Sequence, residues 1–229
     1  MIRSLCRSVL LPVHLVREYQ AAKTLTRNGR RNEFDLAHGV DTDGDFGSWT
    51  YLSDLNIASP NWIHGVNYTG IEPARFWMAL LSVELQHEEF AFIDFGSGKG
   101  RALLMASEFP FRRIIGIEFS PELHAVAEKN IRQYQRRSNG CHAVESVCMD
   151  FIDFVLPPEP SVLYFYEPCD DVLFARVLEK IRDSLREHPR PLYLIYMAPG
   201  KKEALLDAAD FLVKQGRNAQ FQFCWYKAR

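Results

Sequence analysis

The chain has 229 residues and a mass of 26.4 kDa, enough for one α/β domain with a sizeable core and short for two independent ones. Apolar residues make up 47% and charged residues 24%, the balance of a soluble globular protein rather than a disordered or membrane-embedded one. The formal net charge of −2 leaves no whole-chain positive field, so no strong nucleic-acid signal is read.

The charge is unevenly spread. Residues 1–31 hold seven Lys/Arg and one acid, Glu18, a net of +6, which leaves the rest of the chain at −8. Ile2, Leu5, Val9, Val13 and Val16 share one stripe at the helical period, with Arg3, Arg7, His14 and Arg17 on another face. A basic amphipathic helix is expected there, weakened by Pro12. It is read first as docked on its own domain. An anionic partner or a membrane surface is the second reading. An organelle transit peptide is the third, because no acid precedes Glu18. Ser8–Val16, between Arg7 and Arg17, is nine residues long, against the roughly 20 a membrane span needs.

From Asn32 to Gly70 the periodicity fades, and Trp49, Tyr51, Trp62 and Tyr68 are scattered among Gly, Asp, Ser and Asn. A loop this long usually folds over a site. Asp41-Thr-Asp-Gly-Asp45 resembles a calcium loop but fails its pattern at Phe46 and Leu52, so a solvated loop is expected. Strands and helices then alternate. Pro73 opens a helix carrying Phe76, Trp77, Leu80 and Leu81, and Ala91–Phe95 is a buried strand. Helix Ala102–Phe109, strand Arg113–Ile117 and a helix capped by Ser120-Pro121 follow. Strands are expected at Val144–Cys148, Val162–Tyr166 and Leu192–Met197, with helices from Phe174 to Leu185 and from Lys201 to Asp210. Phe211–Val213 reads as a short sixth strand, and Phe221, Phe223 and Trp225 mark a half-buried last one. Repeated β-α units predict a doubly wound, mostly parallel α/β sheet with helices on both faces. Two regions are expected: an N-terminal helix and loop extension over 1–70, and a ligand-binding domain over 71–229.

Cys6, Cys141, Cys148, Cys169 and Cys224 are odd in number and form no C-x-x-C, which argues against a disulfide framework and a zinc site. Reduced thiols, a cytoplasmic location and no metal are expected.

Ligands of such sheets bind beyond the carboxyl ends of the strands, where Asp94-Phe-Gly96-Ser97-Gly98-Lys-Gly100 follows the first strand. A phosphate-binding P-loop fails, because Gly100 follows Lys99 and Ile93 replaces the first glycine. A dinucleotide fingerprint is weakened by Arg101 at its third glycine position. The pattern present is acid-x-G-x-G-x-G.

This turn resembles motif I of the class I S-adenosylmethionine-dependent methyltransferases, and the resemblance extends over roughly residues 66–200. Gly116-Ile-Glu118 ends the second strand, Cys148-Met-Asp150-Phe151 the third and Tyr164-Phe-Tyr166-Glu167-Pro168 the fourth. The resemblance implies a Rossmann-like sheet of seven strands with the last antiparallel, and S-adenosyl-L-methionine as cofactor. It also implies that Glu118 grips the ribose hydroxyls and Asp150 meets the adenine amino group, with Phe119 and Phe151 beside them. Val66-Asn-Tyr68-Thr-Gly-Ile-Glu72-Pro73 is similar to the segment of non-SET protein-lysine methyltransferases that closes over the methionine part of the cofactor. That similarity adds Glu72 to the cofactor set and Tyr68 to the catalytic set, an aromatic face beside a sulfonium being a sound cation–π contact.

Where DNA-adenine and glutamine methyltransferases carry [ND]-P-P-[YF], this chain has Glu167-Pro168-Cys169-Asp170. The departure argues against a planar amide or exocyclic amine as acceptor. Glu167 is the expected base or amine-orienting group; the alternative is a cap on the helix near Asp170. The implied function is methyl transfer to an unknown acceptor, a protein amine such as lysine ahead of a small molecule. An inactive cofactor-fold scaffold is the alternative, and a nicotinamide-dependent oxidoreductase a weaker one.

Overall fold

The chain forms seven strands, the central ones short apolar runs: β1 (Ala91–Phe95), β2 (Arg113–Glu118), β3 (Val144–Cys148), β4 (Ser161–Tyr166), β5 (Leu192–Met197), β6 (Leu212–Asn218) and β7 (Phe223–Ala228). The computed structural model describes residues 33–44, 50–136 and 138–229; the expected N-terminal helix lies outside them. The strands join in one sheet of order β3-β2-β1-β4-β5-β7-β6. The first five run parallel, and β7 is antiparallel to both neighbours. This is the doubly wound sheet with an antiparallel last strand that was expected. The helices are α1 (Glu33–His38), α2 (Pro73–Leu81), α3 (Arg101–Ala106), α4 (Pro121–Gln133), α5 (Asp171–Glu187) and α6 (Lys202–Ala208).

Because successive strand side chains point to opposite faces, the central strands serve two cores. Phe92, Ile114, Val162, Tyr164 and Ile195 pack with Phe76, Trp77 and Leu80 of α2 and Leu103 and Met105 of α3. Ile93, Phe95, Ile117, Leu163 and Phe165 pack with Leu173, Phe174 and Val177 of α5 and Leu206 of α6. Burial on both faces is why β1 and β4 read as unbroken apolar runs. Phe165 lies between Phe95 and Tyr196, with ring centroids 4.6 and 5.8 Å away. Truncating a ring so enclosed typically costs about 3–5 kcal/mol. Among the described residues no helix is long and apolar enough to cross a membrane.

Three elements differ from expectation. β7 is not half-buried: Phe223 faces one core, while Cys224 and Tyr226 face the other, because the strand lies between β5 and β6. β6 reaches Asn218 rather than stopping near Val213. It is an edge strand, so exposed Lys214, Gln215 and Arg217 are tolerated, and charge there discourages pairing with other sheets. α3 ends at Ala106, where Ser107 Oγ donates to Leu104 O at 2.6 Å and the chain turns back toward β2.

Candidate functional site

After β1 the chain turns through Gly96, Gly98 and Gly100, all at positive φ. Gly98 is the position where a side chain is least tolerable: a Cβ there would lie 2.0 Å from the Tyr68 ring. Gly96 N and Ser97 N both donate to Ile117 O, at 2.9 and 3.0 Å, which binds the turn to the end of β2. Glu118 completes the link. Its carboxylate accepts from Gly98 N at 2.8 Å and from Ser120 N at 2.9 Å. Ser120 in turn caps α4, accepting from Leu123 N at 3.2 Å. Burial pushes the Glu118 carboxyl up to about 7, against the lowering effect of its backbone donors. Burial, and then the neighbouring Glu118, raise Asp94 well above the ordinary carboxylate range.

The turn opens onto an open-mouthed cleft. Gly96, Glu118, Phe119 and Phe151 line one side, and Tyr166, Glu167 and Pro168 the rim after β4. The other wall comes from Leu52, Val66, Asn67, Tyr68 and Thr69. The cleft therefore lies at the carboxyl ends of the strands, where α/β sheets bind ligands.

The far wall is fastened at several points. Thr50 and Tyr68 exchange two backbone hydrogen bonds of 3.0 Å, and Leu52 N donates to Asn67 Oδ1 at 3.1 Å. Asn56 N donates to Glu122 at 2.9 Å. Ser59 Oγ and Asn61 Nδ2 meet Asp150 Oδ2 at 2.5 and 2.7 Å. His64 Nδ1 lies 2.7 Å from Asp170 Oδ2. Over its described residues the long polar segment is a structured cover, as expected of a loop of that length.

Of the expected site residues, Gly96, Glu118, Phe119, Phe151, Tyr68 and Glu167 line this cleft. Asp150 does not: Ser59, Asn61 and Ile152 N occupy its carboxylate. Ser97 is buried, with its Oγ toward Gly116, and Gly100 is the N-cap of α3. Asp94 is buried at the end of β1. Glu72 is the N-cap residue of α2, without a side-chain capping bond. Tyr68 contributes its ring, since its hydroxyl donates to Thr42 O at 2.6 Å. Glu167 is exposed and takes φ 46°, a left-handed conformation that costs a non-glycine residue about 1–2 kcal/mol. The capping role considered for it belongs to Asp170, which accepts from Leu173 N at 3.0 Å.

The expected solvated loop at Asp41–Asp45 is corrected over its described residues, 41–44: Thr42 is fully buried, because Asp35 and Arg101 bond to it. Leu52 and Asn67 were missed. They reach the cleft through the pairing of Thr50 with Tyr68, and no periodicity marks such a bridge. Leu123 was read only as a core residue of α4.

No protein-family model and no curated protein matches the chain. Solved structures with a similar fold include a predicted N6-adenine-specific DNA methylase from Listeria monocytogenes, at 13% identity and TM-score 0.50, over 70% of this chain and 51% of that one. The chain thus spans about half the length of that protein. An RNA methyltransferase from Salinibacter ruber, in complex with S-adenosyl-L-homocysteine, aligns at 21% identity and TM-score 0.44 over 70% of this chain and 92% of that one. A ribosomal protein L11 methylase from Lactobacillus delbrueckii subsp. bulgaricus aligns at 13% identity and TM-score 0.47, over 68% and 77%. The first likeness establishes the Rossmann-like methyltransferase fold. The DNA methylase among these structures corrects the expectation of no strong nucleic-acid signal. Net charge, on which that expectation stood, reports the average of a chain whose charge is strongly segregated.

Proposed function

We propose that the protein is an S-adenosylmethionine-dependent methyltransferase. One observation carries the reading: the glycine turn after β1, Glu118 of β2, Phe151 after β3 and Glu167 after β4 converge on one cleft. The residues fit the cofactor. Glu118 is acceptor-only when ionised and keeps lone pairs beyond its two backbone bonds, as two ribose hydroxyls require. Gly98 leaves room for Tyr68 against the turn. Phe119 and Phe151 offer apolar surface to a base. Asp94, Ser97, Gly100 and Glu72 shape the turn and its surroundings. A contact of Asp150 with the adenine requires Ser59 and Asn61 to share or yield its Oδ2.

Bound there, S-adenosylmethionine supplies an activated methyl group. The chain's own work is alignment and exclusion of water. Tyr68 and the 50–72 segment cover the cleft. Tyr166, its ring beneath the Arg75 guanidinium at 5.6 Å, gives the rim a fixed aromatic face. Glu167 accepts a hydrogen bond or a proton from the incoming nucleophile. The DNA and RNA methylases among the fold neighbours favour a nucleic-acid acceptor. The second reading is a protein amine, which rests on Glu167 standing where the amino-methyltransferase motif has Asn or Asp.

Calorimetric titration with S-adenosylmethionine, S-adenosylhomocysteine and NAD tests the reading. Binding of the first two and not the third is expected. NAD binding alone would turn it into an oxidoreductase, and no binding into a scaffold. Transfer of a labelled methyl group to RNA, DNA or lysine-rich protein then separates the acceptors.

A further inference from the structure

Two cations follow the glycine turn, Lys99 and Arg101, and both are buried, at 3% and 4% exposure. Burying a charge is costly unless it is paired and hydrogen-bonded. Both are met by a strap of chain from Asp35 to Asp43. Arg101 Nε donates to Thr42 Oγ1 at 2.6 Å and Nη1 to Ile71 O at 3.3 Å. Nη2 lies 3.7 Å from Asp35 and 3.8 Å from Asp43. Asp35 is itself buried and accepts from Thr42 N at 2.8 Å, from Asp43 N at 3.1 Å and from the Thr42 hydroxyl. Lys99 Nζ reaches Asp41 Oδ1 at 3.2 Å. Asn130 of α4 donates to Asp41 O at 2.6 Å and to Lys99 O at 2.9 Å.

Thr42 is the junction of this network. Its hydroxyl sits between Asp35 and Arg101, and its carbonyl accepts the Tyr68 hydroxyl at 2.6 Å. The Tyr68 ring in turn lies against Gly98 and lines the cleft. There is no slack at the crossing: a Cβ on Gly70 would meet Arg101 Nη1 at 2.5 Å and Thr42 O at 2.7 Å. Arg101, Thr42 and Asp35 are not among the cleft-lining residues, and the bond from Tyr68 to Thr42 O connects them to one that is.

We propose that Asp35, Thr42 and Arg101 are positioning residues for the cofactor: they clamp the strap to the glycine turn so that the Thr42 carbonyl holds the Tyr68 ring against Gly98. The side chain at 101, which spoils a dinucleotide fingerprint, is on this account the anchor of the site's outer wall. The proposal rests on the methyltransferase reading, and its test separates the two.

Wild-type protein is titrated first with S-adenosylhomocysteine; failure to bind overturns the cofactor reading itself. Given binding, Thr42→Ser, which keeps the hydroxyl, stays within about twofold, and Thr42→Val loses about tenfold or more. In a Tyr68→Phe background, whose ring no longer bonds to Thr42 O, the same Thr42→Val change costs less than about threefold. Arg101→Lys, which keeps charge but not the forked geometry, takes the place of Thr42→Val in this cycle if the valine variant does not fold by circular dichroism. Equal losses in both backgrounds, or wild-type affinity in the folded single variant, would overturn the positioning role and leave the network as scaffold alone.

Discussion

Glu118 ties two elements of the fold together, and on the proposed reading the same carboxylate would hold the ligand. It bonds to the glycine turn and to the start of α4 while facing the cleft. Burial raises its pKa to about 7, above the 4.5 of a free glutamate. The folded state therefore holds this proton more tightly than the unfolded one. Its contribution to stability is largest below pH 4.5 and falls as pH rises toward 7. Binding has the opposite sign, because hydroxyl donors need the ionised form. Affinity for S-adenosylhomocysteine should rise by up to about tenfold between pH 6 and pH 8. Calorimetry at the two pH values checks this, and Glu118→Gln should flatten the dependence as well as weaken binding. Glu167 calls for the complementary measurement. Exposed at the rim, it has no duty in capping α5, so Glu167→Gln should lower kcat by about 100-fold while the Kd for S-adenosylhomocysteine stays within about twofold. A lower melting temperature with unchanged kcat would assign it a structural role instead.

At the scale of elements, the glycine turn is the most sensitive to substitution. Gly98→Ala meets two obstacles, φ 53° and a Cβ 2.0 Å from the Tyr68 ring. The variant should lose S-adenosylhomocysteine binding by at least about tenfold, because either the turn or Tyr68 must move. Titration of the folded variant decides it, and unchanged affinity would mean that Tyr68 does not shape the site. This turn was legible because its cause is local: an apolar strand, three glycines and a helix stand next to one another. β1 and β5 were legible to the residue for the same reason, being apolar runs marked off by Gly96 after one and Pro191 before the other. β6 was under-read because an edge strand carries Lys, Gln and Arg where the period-2 pattern looks for apolar residues. The strap was illegible because Thr42 and Arg101 are 59 positions apart. Nothing local marks Asp35 as buried, and its burial makes sense only once Arg101 lies above it. Asp150 shows the converse. Its place at the end of β3 was read correctly, but its partners Ser59 and Asn61 come from a loop whose path no local pattern reveals.

On the scale of the whole molecule, charge is divided along the chain. Among the described residues, the cleft, its cover and the strap are built from positions at or beyond Asp35. The cationic surplus lies before them: +6 in residues 1–31, against −8 in the rest. A body of that sign repels phosphates, so a nucleic-acid acceptor would have to draw its attraction from the first 31 residues. Removing residues 1–24 deletes Arg3, Arg7, Arg17 and Lys23 together with Glu18. Affinity for S-adenosylhomocysteine should then stay within about threefold, since every cleft-lining group among the described residues is kept. Binding to a labelled single-stranded oligonucleotide should weaken. Its dependence of log K on log salt, followed by fluorescence anisotropy between about 50 and 200 mM, should become shallower by as much as about 3 units. An unchanged slope would place the phosphate contacts on the body in spite of its charge. Loss of S-adenosylhomocysteine binding in a folded truncation would make the basic segment part of the cofactor site itself.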